Sequence, residues 1–398
     1  MTYFLLIFFV FLLFIGLLCS QNNIFSPSGL TSVIWIFVLI SYVWLGKDQY
    51  NLSMNLHLCL FFWVSGICAG SLFFQSATYH DPKLDNPSKT IRDIYLIASI
   101  LFLPKLFEFA VIAIVNGNTG YIPLDLRLAA LGKGSGYDEP FGGFFVLIWQ
   151  VSFILELLCY EKRKKWRLIV ATICFMLFGI ITMAKIILLN IFVSGCVILY
   201  FKKVIRMKHI SIGLVILALS FVVLQMVRMS QQITDIDDSI ITMYVIGNLT
   251  AFDSLEPFSA EHWGENTFRI VYATLYKLNI SDIEPVDALL KWEEKPILTN
   301  TYTAMYPFYV DFGHAGVIIF SIVIGSFLGW LFKKSLMGSK FYIAFYAITL
   351  NVIVMQYAAD LLFTNLTSNI KLFIVLVIPF VFTKHNLLVV KNKLNRGL

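Results

Sequence analysis

Apolar runs long enough to cross a bilayer recur from one end of this chain to the other, and that repetition limits the fold more than any motif within it. A transmembrane helix needs about 20 mostly apolar residues. Such runs can be marked off about eleven times in the 398 residues: 2–19, 29–45, 56–75, 94–115, 143–160, 167–184, 186–201, 210–227, 304–331, 341–363 and 370–383. The stretch 166–201 is divided at Lys185, because one helix of that length would overshoot a membrane. Charged residues make up 14% of the chain, against about 25% in ordinary soluble domains, and the mean hydropathy is +0.80. That leaves too few polar residues to coat a water-facing globule, which excludes a soluble α/β enzyme, a fibrous protein and a disordered chain. The expected fold is all-α: a polytopic membrane helix bundle of about 11 (10–12) transmembrane helices, with residues 1–398 as one integral-membrane domain. The six cysteines (Cys19, Cys59, Cys68, Cys159, Cys174, Cys196) fall in apolar stretches without CxxC spacing. They read as small buried hydrophobes, not as a disulfide framework or a metal site.

Lys and Arg set the orientation. Basic clusters at Lys83–Arg92, Lys162–Arg167, Lys202–Lys208, Lys333–Lys340 and Lys384–Arg396 hold most of the 30 basic residues in short segments. Each is an even number of spans from the next, so all share one side, the cytoplasmic one by the positive-inside rule. The N-terminus then falls outside. Met1–Cys19 lacks a basic leading region and a clear cleavage site, so it reads as a span and not as a signal peptide.

Two loops on the external side, 116–142 and 228–302, are too long to be connectors, and loops of that length are where function concentrates. The larger has five basic residues against twelve acids, which argues against nucleic acid and against general attraction of polyanions. Four cations map to this face against the positive-inside bias: Arg127, Lys185, Arg228 and Arg269. Guanidinium groups grip phosphate oxygens in pairs and keep their proton, which suits a lipid diphosphate. The competing reading is that each snorkels at the interface or pairs with a loop acid. The glycine-rich Gly132–Gly136 is either a phosphate-binding loop or plain turn chemistry.

A carboxylate or imidazole on this side can act as a general base toward a hydroxyl. The candidates are Asp253, in Gly247–Glu256, and the Asp311/His314 pair, whose i, i+3 spacing places both on one helix face so that the carboxylate orients the ring. Asp311 alternatively caps the N-terminus of its helix. Asp235, Asp237 and Asp238 carry a DxD-like pattern, uninformative in so acidic a loop, so no metal is assigned. No cofactor is indicated. Lys105 and Glu108 are one turn apart and should neutralise each other, and Asp360 should lie at the interface at the end of span 341–363.

The stretch from Thr299 to Gly316, with Tyr302, Pro307, Tyr309, Asp311, Gly313 and His314 in it, runs into Gly325 and Gly329 and resembles the late signature of bacterial O-antigen (Wzy-type) polymerases. Asn248–Asp253 followed by Phe268 and Arg269 is similar to their large periplasmic loop. Phe25, Pro27 and Trp35 near the start, and the polar residue after Thr182-Met183, resemble the family as well. The family often has Arg where this chain has Lys185. The resemblance implies a GT-C-like glycosyltransferase in the bacterial inner membrane that joins undecaprenyl-diphosphate-linked oligosaccharide repeat units on its periplasmic face. The reaction would be inverting and metal-independent, with Asp253, Asp311 and His314 as catalytic candidates and Arg127, Lys185, Arg228 and Arg269 on the diphosphate. Donor, acceptor and membrane lipid would be its partners, with a polysaccharide chain-length regulator as a further one. An O-antigen ligase and a lipid-linked oligosaccharide flippase are the rival readings, and an O-acetyltransferase is a weaker one. A flippase would carry cations along a lumen, whereas here the spans are nearly uncharged and the polar residues gather on one face.

Overall fold

The computed structural model describes residues 1–46, 50–76, 86–134, 136–137, 141–229, 245–287, 290 and 299–382. The described residues form helices and no strands, apart from an isolated bridge between Gly134 and Tyr137. In chain order the α-helices are α1 (Thr2–Cys19), α2 (Pro27–Leu45), α3 (Met54–Ser76), α4 (Lys89–Leu101), α5 (Leu103–Val115), α6 (Ile122–Ala130), α7 (Gly143–Leu158) and α8 (Lys165–Ile181). They continue with α9 (Lys185–Phe201), α10 (Met207–Met229), α11 (Gly247–Asp253), α12 (Arg269–Lys277), α13 (Tyr306–Leu336), α14 (Lys340–Thr349), α15 (Asn351–Val354) and α16 (Leu366–Val381).

Each apolar run in the sequence contains helix, though 94–115 is divided between α4 and α5 at Phe102. Six are long and apolar enough to cross a membrane on their own: Thr2–Cys19, Pro27–Leu45, Met54–Gln75, Lys89–Val115, Met207–Leu224 and Tyr306–Leu336. Four further apolar helices are shorter. On α10, residues such as Leu214, Val215, Ile216 and Leu219 stand exposed, as expected of an all-apolar helix whose outer solvent is lipid. Cys19 is exposed at the end of α1, contrary to the expectation of burial, whereas Cys59, Cys68 and Cys174 are buried.

By contacts the chain forms two compact units. The first comprises Met1–His80, Asp235–Lys334 and Thr349–Ile370; the second comprises Asp81–Thr234, Ser335–Ile348 and Lys371–Leu398. In the first unit, Ser26 caps α2 by accepting the Gly29 N–H at 3.3 Å, and Pro27 presets its first turn. Glycines join α3 to α13. A Cβ on Gly70 would sit 2.4 Å from the Ile322 carbonyl oxygen, and one on Gly325 would sit 2.4 Å from that of Ile67. Gly66, Gly70, Gly325 and Gly329 therefore let the two backbones touch, the small-residue crossing typical of membrane helix pairs.

Span 304–331 is not one rod. Gly313, at φ 60° and ψ −149°, breaks α13, a conformation open almost solely to glycine. The ring of Phe308 stacks on that of Phe320 with centroids 4.5 Å apart. Twelve residues along a straight helix would separate them by roughly 18 Å, so residues 306–312 fold back against the start of arm 314–336. Span 341–363 is corrected too, because regular helix ends at Val354. Trp63 Nε1 donates to Gln356 Oε1 at 2.9 Å and the Gln356 carbonyl accepts the Ala304 N–H at 2.8 Å, which turns the chain. Asp360 is buried instead of interfacial: its carboxylate takes the N–H groups of Leu362, Phe363 and Thr364 and the Thr364 hydroxyl, so local donors replace water.

The second unit is organised around buried charge. Glu156 on α7 accepts Arg167 Nε at 2.9 Å and Nη2 at 2.7 Å, and lies 3.3 Å from Arg92 Nε. Arg167 also pairs with Asp93 at 2.7 Å. Lys202 Nζ closes the C-terminus of α7 by donating to the Leu157 and Leu158 carbonyls. Lys105 and Glu108 pair at 2.8 Å on the surface, as their spacing predicts.

Candidate active site

Asp311 lies in the short arm of α13. That helix begins five residues earlier at Tyr306, so the side chain is no N-cap. It is 6% exposed, and its carboxylate accepts the Asn266 N–H at 3.3 Å, Asn266 Nδ2 at 2.8 Å and the Thr267 N–H at 2.7 Å. These donors immediately precede α12, whose first residue is Arg269. The acid therefore staples the start of α12 to α13.

Arg269 opens a helix, as the sequence predicts. Its Nε donates to the Val286 carbonyl at 2.7 Å. Among the described residues its two terminal nitrogens meet no hydrogen-bond or ion-pair partner. The guanidinium is thus oriented, among the described residues, by that one bond. Nearby in the chain, Glu265 accepts the Glu261 N–H at 2.9 Å, and the Tyr272 hydroxyl donates to the Trp263 carbonyl at 2.7 Å. Burial first, and then the charges of Glu265 and Asp311, push the Tyr272 hydroxyl above its ordinary pKa.

The expectation that Asp311 orients His314 fails. Gly313 stands between them with non-helical angles, so the i, i+3 register does not carry across. The His314 ring instead meets Tyr309 and Phe62 edge-on, at 5.5 and 6.3 Å, and its buried Nε2 has no hydrogen-bond partner among the described residues. The carbonyls of Tyr309 and Val310, just upstream of the break, accept the N–H groups of Phe258 and Ala260.

Asp253 ends α11 and is half-buried. It accepts the Ser53 N–H at 2.8 Å and, in a very short contact, the Ser53 hydroxyl. Tyr50 also bonds it; burial first, and then the Asp253 charge, push the Tyr50 hydroxyl up to about 12. Ser53 Oγ additionally accepts the Leu56 N–H and so caps α3. The Ser53 carbonyl takes His57 Nδ1 at 2.6 Å. A carbonyl can only accept, so Nδ1 carries the proton, and Nε2 shares a hydrogen bond with the Thr2 hydroxyl at 2.9 Å. A cleft of about 370 Å³ opens here, lined by Thr2, Tyr3, Tyr42, Asn51, Leu52 and His57 among others. Sequence reading missed Tyr50, Ser53 and His57. A serine before an apolar run signals a cap, but nothing local announces a partner 200 residues away.

Arg127, on α6, and Lys185, the first residue of α9, belong to the second unit and are half-buried. Gly132, Gly134 and Gly136 have φ of 69°, 89° and 80°, and the Gly134 carbonyl accepts the Tyr137 N–H, which is turn geometry. The side chain of Arg228 and the run Asp235–Asp238 lie outside the described residues. Among the described residues no group of three or more His, Cys, Asp or Glu is placed to hold a metal ion.

Helices long and apolar enough to cross a membrane make this a multi-pass membrane protein. Residues 2–357 match the family described as "Putative O-antigen polymerase". The match spans nearly the whole chain, and the protein belongs to that family, which gives it a polymerase role in O-antigen synthesis, a glycosyltransferase type of activity. No curated protein and no solved structure matches it.

Proposed function

We propose that the protein is a GT-C-like inner-membrane glycosyltransferase that extends O-antigen from undecaprenyl-diphosphate-linked repeat units at the periplasmic face, where loops 116–142 and 228–302 emerge. The observation that carries this reading is Arg269, pre-oriented through Nε, whose terminal nitrogens meet no partner among the described residues. A hydroxyl of the incoming unit attacks the anomeric carbon of the growing chain and inverts it. The bond to the lipid diphosphate breaks, and the leaving group departs with the electron pair, held by Arg269. Arg228, Arg127 and Lys185 are the further diphosphate contacts that the family resemblance suggests. Asp253, partly exposed at its helix end, takes the acceptor proton. Asp311 is a positioning residue, since its carboxylate is buried and committed to Asn266 and Thr267. His314 shapes the corner at Gly313. The diphosphate is a good leaving group once its charge is met, so arginines suffice and no metal is required. A chain-length regulator is a further partner.

The test is a deletion strain complemented with variants at matched membrane levels. Loss of a charge-assisted contact costs about 1.5–3 kcal/mol, roughly a tenfold to hundredfold loss of rate. Arg269→Ala should therefore give single-unit or short glycans, and Arg269→Lys should rescue only in part, because an ammonium lacks the fork. Normal ladders from both variants would remove the diphosphate role of Arg269. Complete absence of surface glycan in the deletion strain, instead of single repeat units, would favour the ligase or flippase readings.

A further inference from the structure

The loop that leads into Arg269 carries two large apolar side chains that water would be expected to drive inside. Trp263 is 75% exposed and Phe258 69% exposed. Neither is loose. The Trp263 ring stacks on Phe268 at 5.8 Å and meets Phe312 edge-on at 5.2 Å, and its carbonyl is held by the Tyr272 hydroxyl. Phe258 sits at φ 58°, a costly conformation for a bulky residue, and its ring lies over Gly313, where an added Cβ would come within 2.7 Å of it. Both rings thus rest on one corner, Phe312–Gly313, which the break in α13 creates. Around them Glu256, Glu261 and His262 are exposed, and Glu265 is buried beneath.

Exposed rings held in place, on a loop that also exposes Glu256 and Glu261, suit one ligand class better than others. The apolar face of a pyranose stacks on an aromatic ring, while its hydroxyls donate to carboxylate oxygens. An anionic lipid surface would be repelled by the same carboxylates. We infer that Trp263 and Phe258 form a saccharide platform, on which a sugar of the repeat unit lies while its diphosphate is held by Arg269, one residue beyond Phe268. The proposal rests on the polymerase reading and deepens it by naming where the sugar sits.

The experiment uses the full-length protein in detergent and two probes: the lipid-free oligosaccharide released by mild acid from the host's own lipid-linked repeat units, and undecaprenyl diphosphate bearing no sugar. Trp263→Leu should weaken oligosaccharide binding at least tenfold and leave binding of the sugar-free lipid unchanged, while Trp263→Phe keeps most of the saccharide affinity. Arg269→Ala should show the reverse pattern. Equal saccharide binding by wild type and Trp263→Leu, with wild type still polymerising, overturns the platform and leaves the polymerase reading intact. Parallel loss of both ligands in Trp263→Leu would mean a structural role and also overturns it. So would quenching of the Trp263-dependent fluorescence (wild type against Trp263→Phe) by brominated lipid in vesicles, without quenching by the oligosaccharide. A wild-type protein that neither polymerises nor binds the oligosaccharide ends both readings.

Discussion

Glu156 and Asp311 are both buried carboxylates in a membrane protein, yet they are satisfied in opposite ways. Glu156 is met by two guanidinium groups, Arg92 and Arg167, and Asp93 completes a neutral cluster. Asp311 is met by the amide donors of Asn266 and Thr267, and among the described residues no cation approaches it. The first arrangement cancels charge and fixes three helices, α4, α7 and α8. The second fixes a loop without spending a cation, and among the described residues the Arg269 guanidinium beside that loop uses only its Nε. One buried acid is met by cancelling charge, the other by neutral donors.

The contrast can be broken most forcefully at Glu156. Glu156→Ala strands the buried Arg92 and leaves the half-buried Arg167 with Asp93 alone, and removing one partner of a buried ion pair costs roughly 3–5 kcal/mol. The expected outcome is a sharp fall in thermal unfolding midpoint in detergent and in membrane abundance. A variant as stable as wild type would show that the cluster is hydrated, and the comparison would collapse.

Asp311→Ala should come next. Each buried donor left unmet costs about 1–3 kcal/mol, and the loss falls on the entry to α12. Polymerisation should drop with Arg269 still present, and the 254–268 loop should become open to protease while the helices hold. Asp311→Asn, which keeps one acceptor oxygen, should recover part of both readouts. If Asp311→Asn is folded, protease-resistant and wholly inactive, the acid acts chemically and the stapling role is wrong.

The smallest effect concerns the third carboxylate, Asp253. Tyr50→Phe removes one hydroxyl donor and should cost about 0.5–1.5 kcal/mol at neutral pH. The Tyr50 hydroxyl is pushed from 10.0 up to about 12 in the folded protein, so folding favours its protonated form. That stability is fully present below pH 10 and drains as pH rises through about 12. Wild type should therefore lose stability more steeply than Tyr50→Phe over that window. Parallel unfolding curves from neutral pH to alkaline would disprove the Tyr50–Asp253 bond.

The apolar runs located the long helices, six of them long and apolar enough to cross a membrane, because in a membrane the backbone must satisfy itself within each apolar segment and the pattern is therefore local. The same applies to the helix that opens at Arg269 and to the Lys105–Glu108 pair, each decided within one turn. The family signature from Thr299 to Gly316 was equally legible. What the sequence could not say is where the chain leaves the helix against its own hydropathy. Gly313 lies in a run that reads as one span, yet it takes a positive φ with the Phe258 ring packed over it. The pairing of Asp311 with Asn266 and Thr267 instead of His314, and of Asp253 with Ser53 and Tyr50, also depends on segments tens to hundreds of residues apart. Local periodicity fixes which residues are helical; only tertiary contact decides which buried acid meets a cation and which meets an amide.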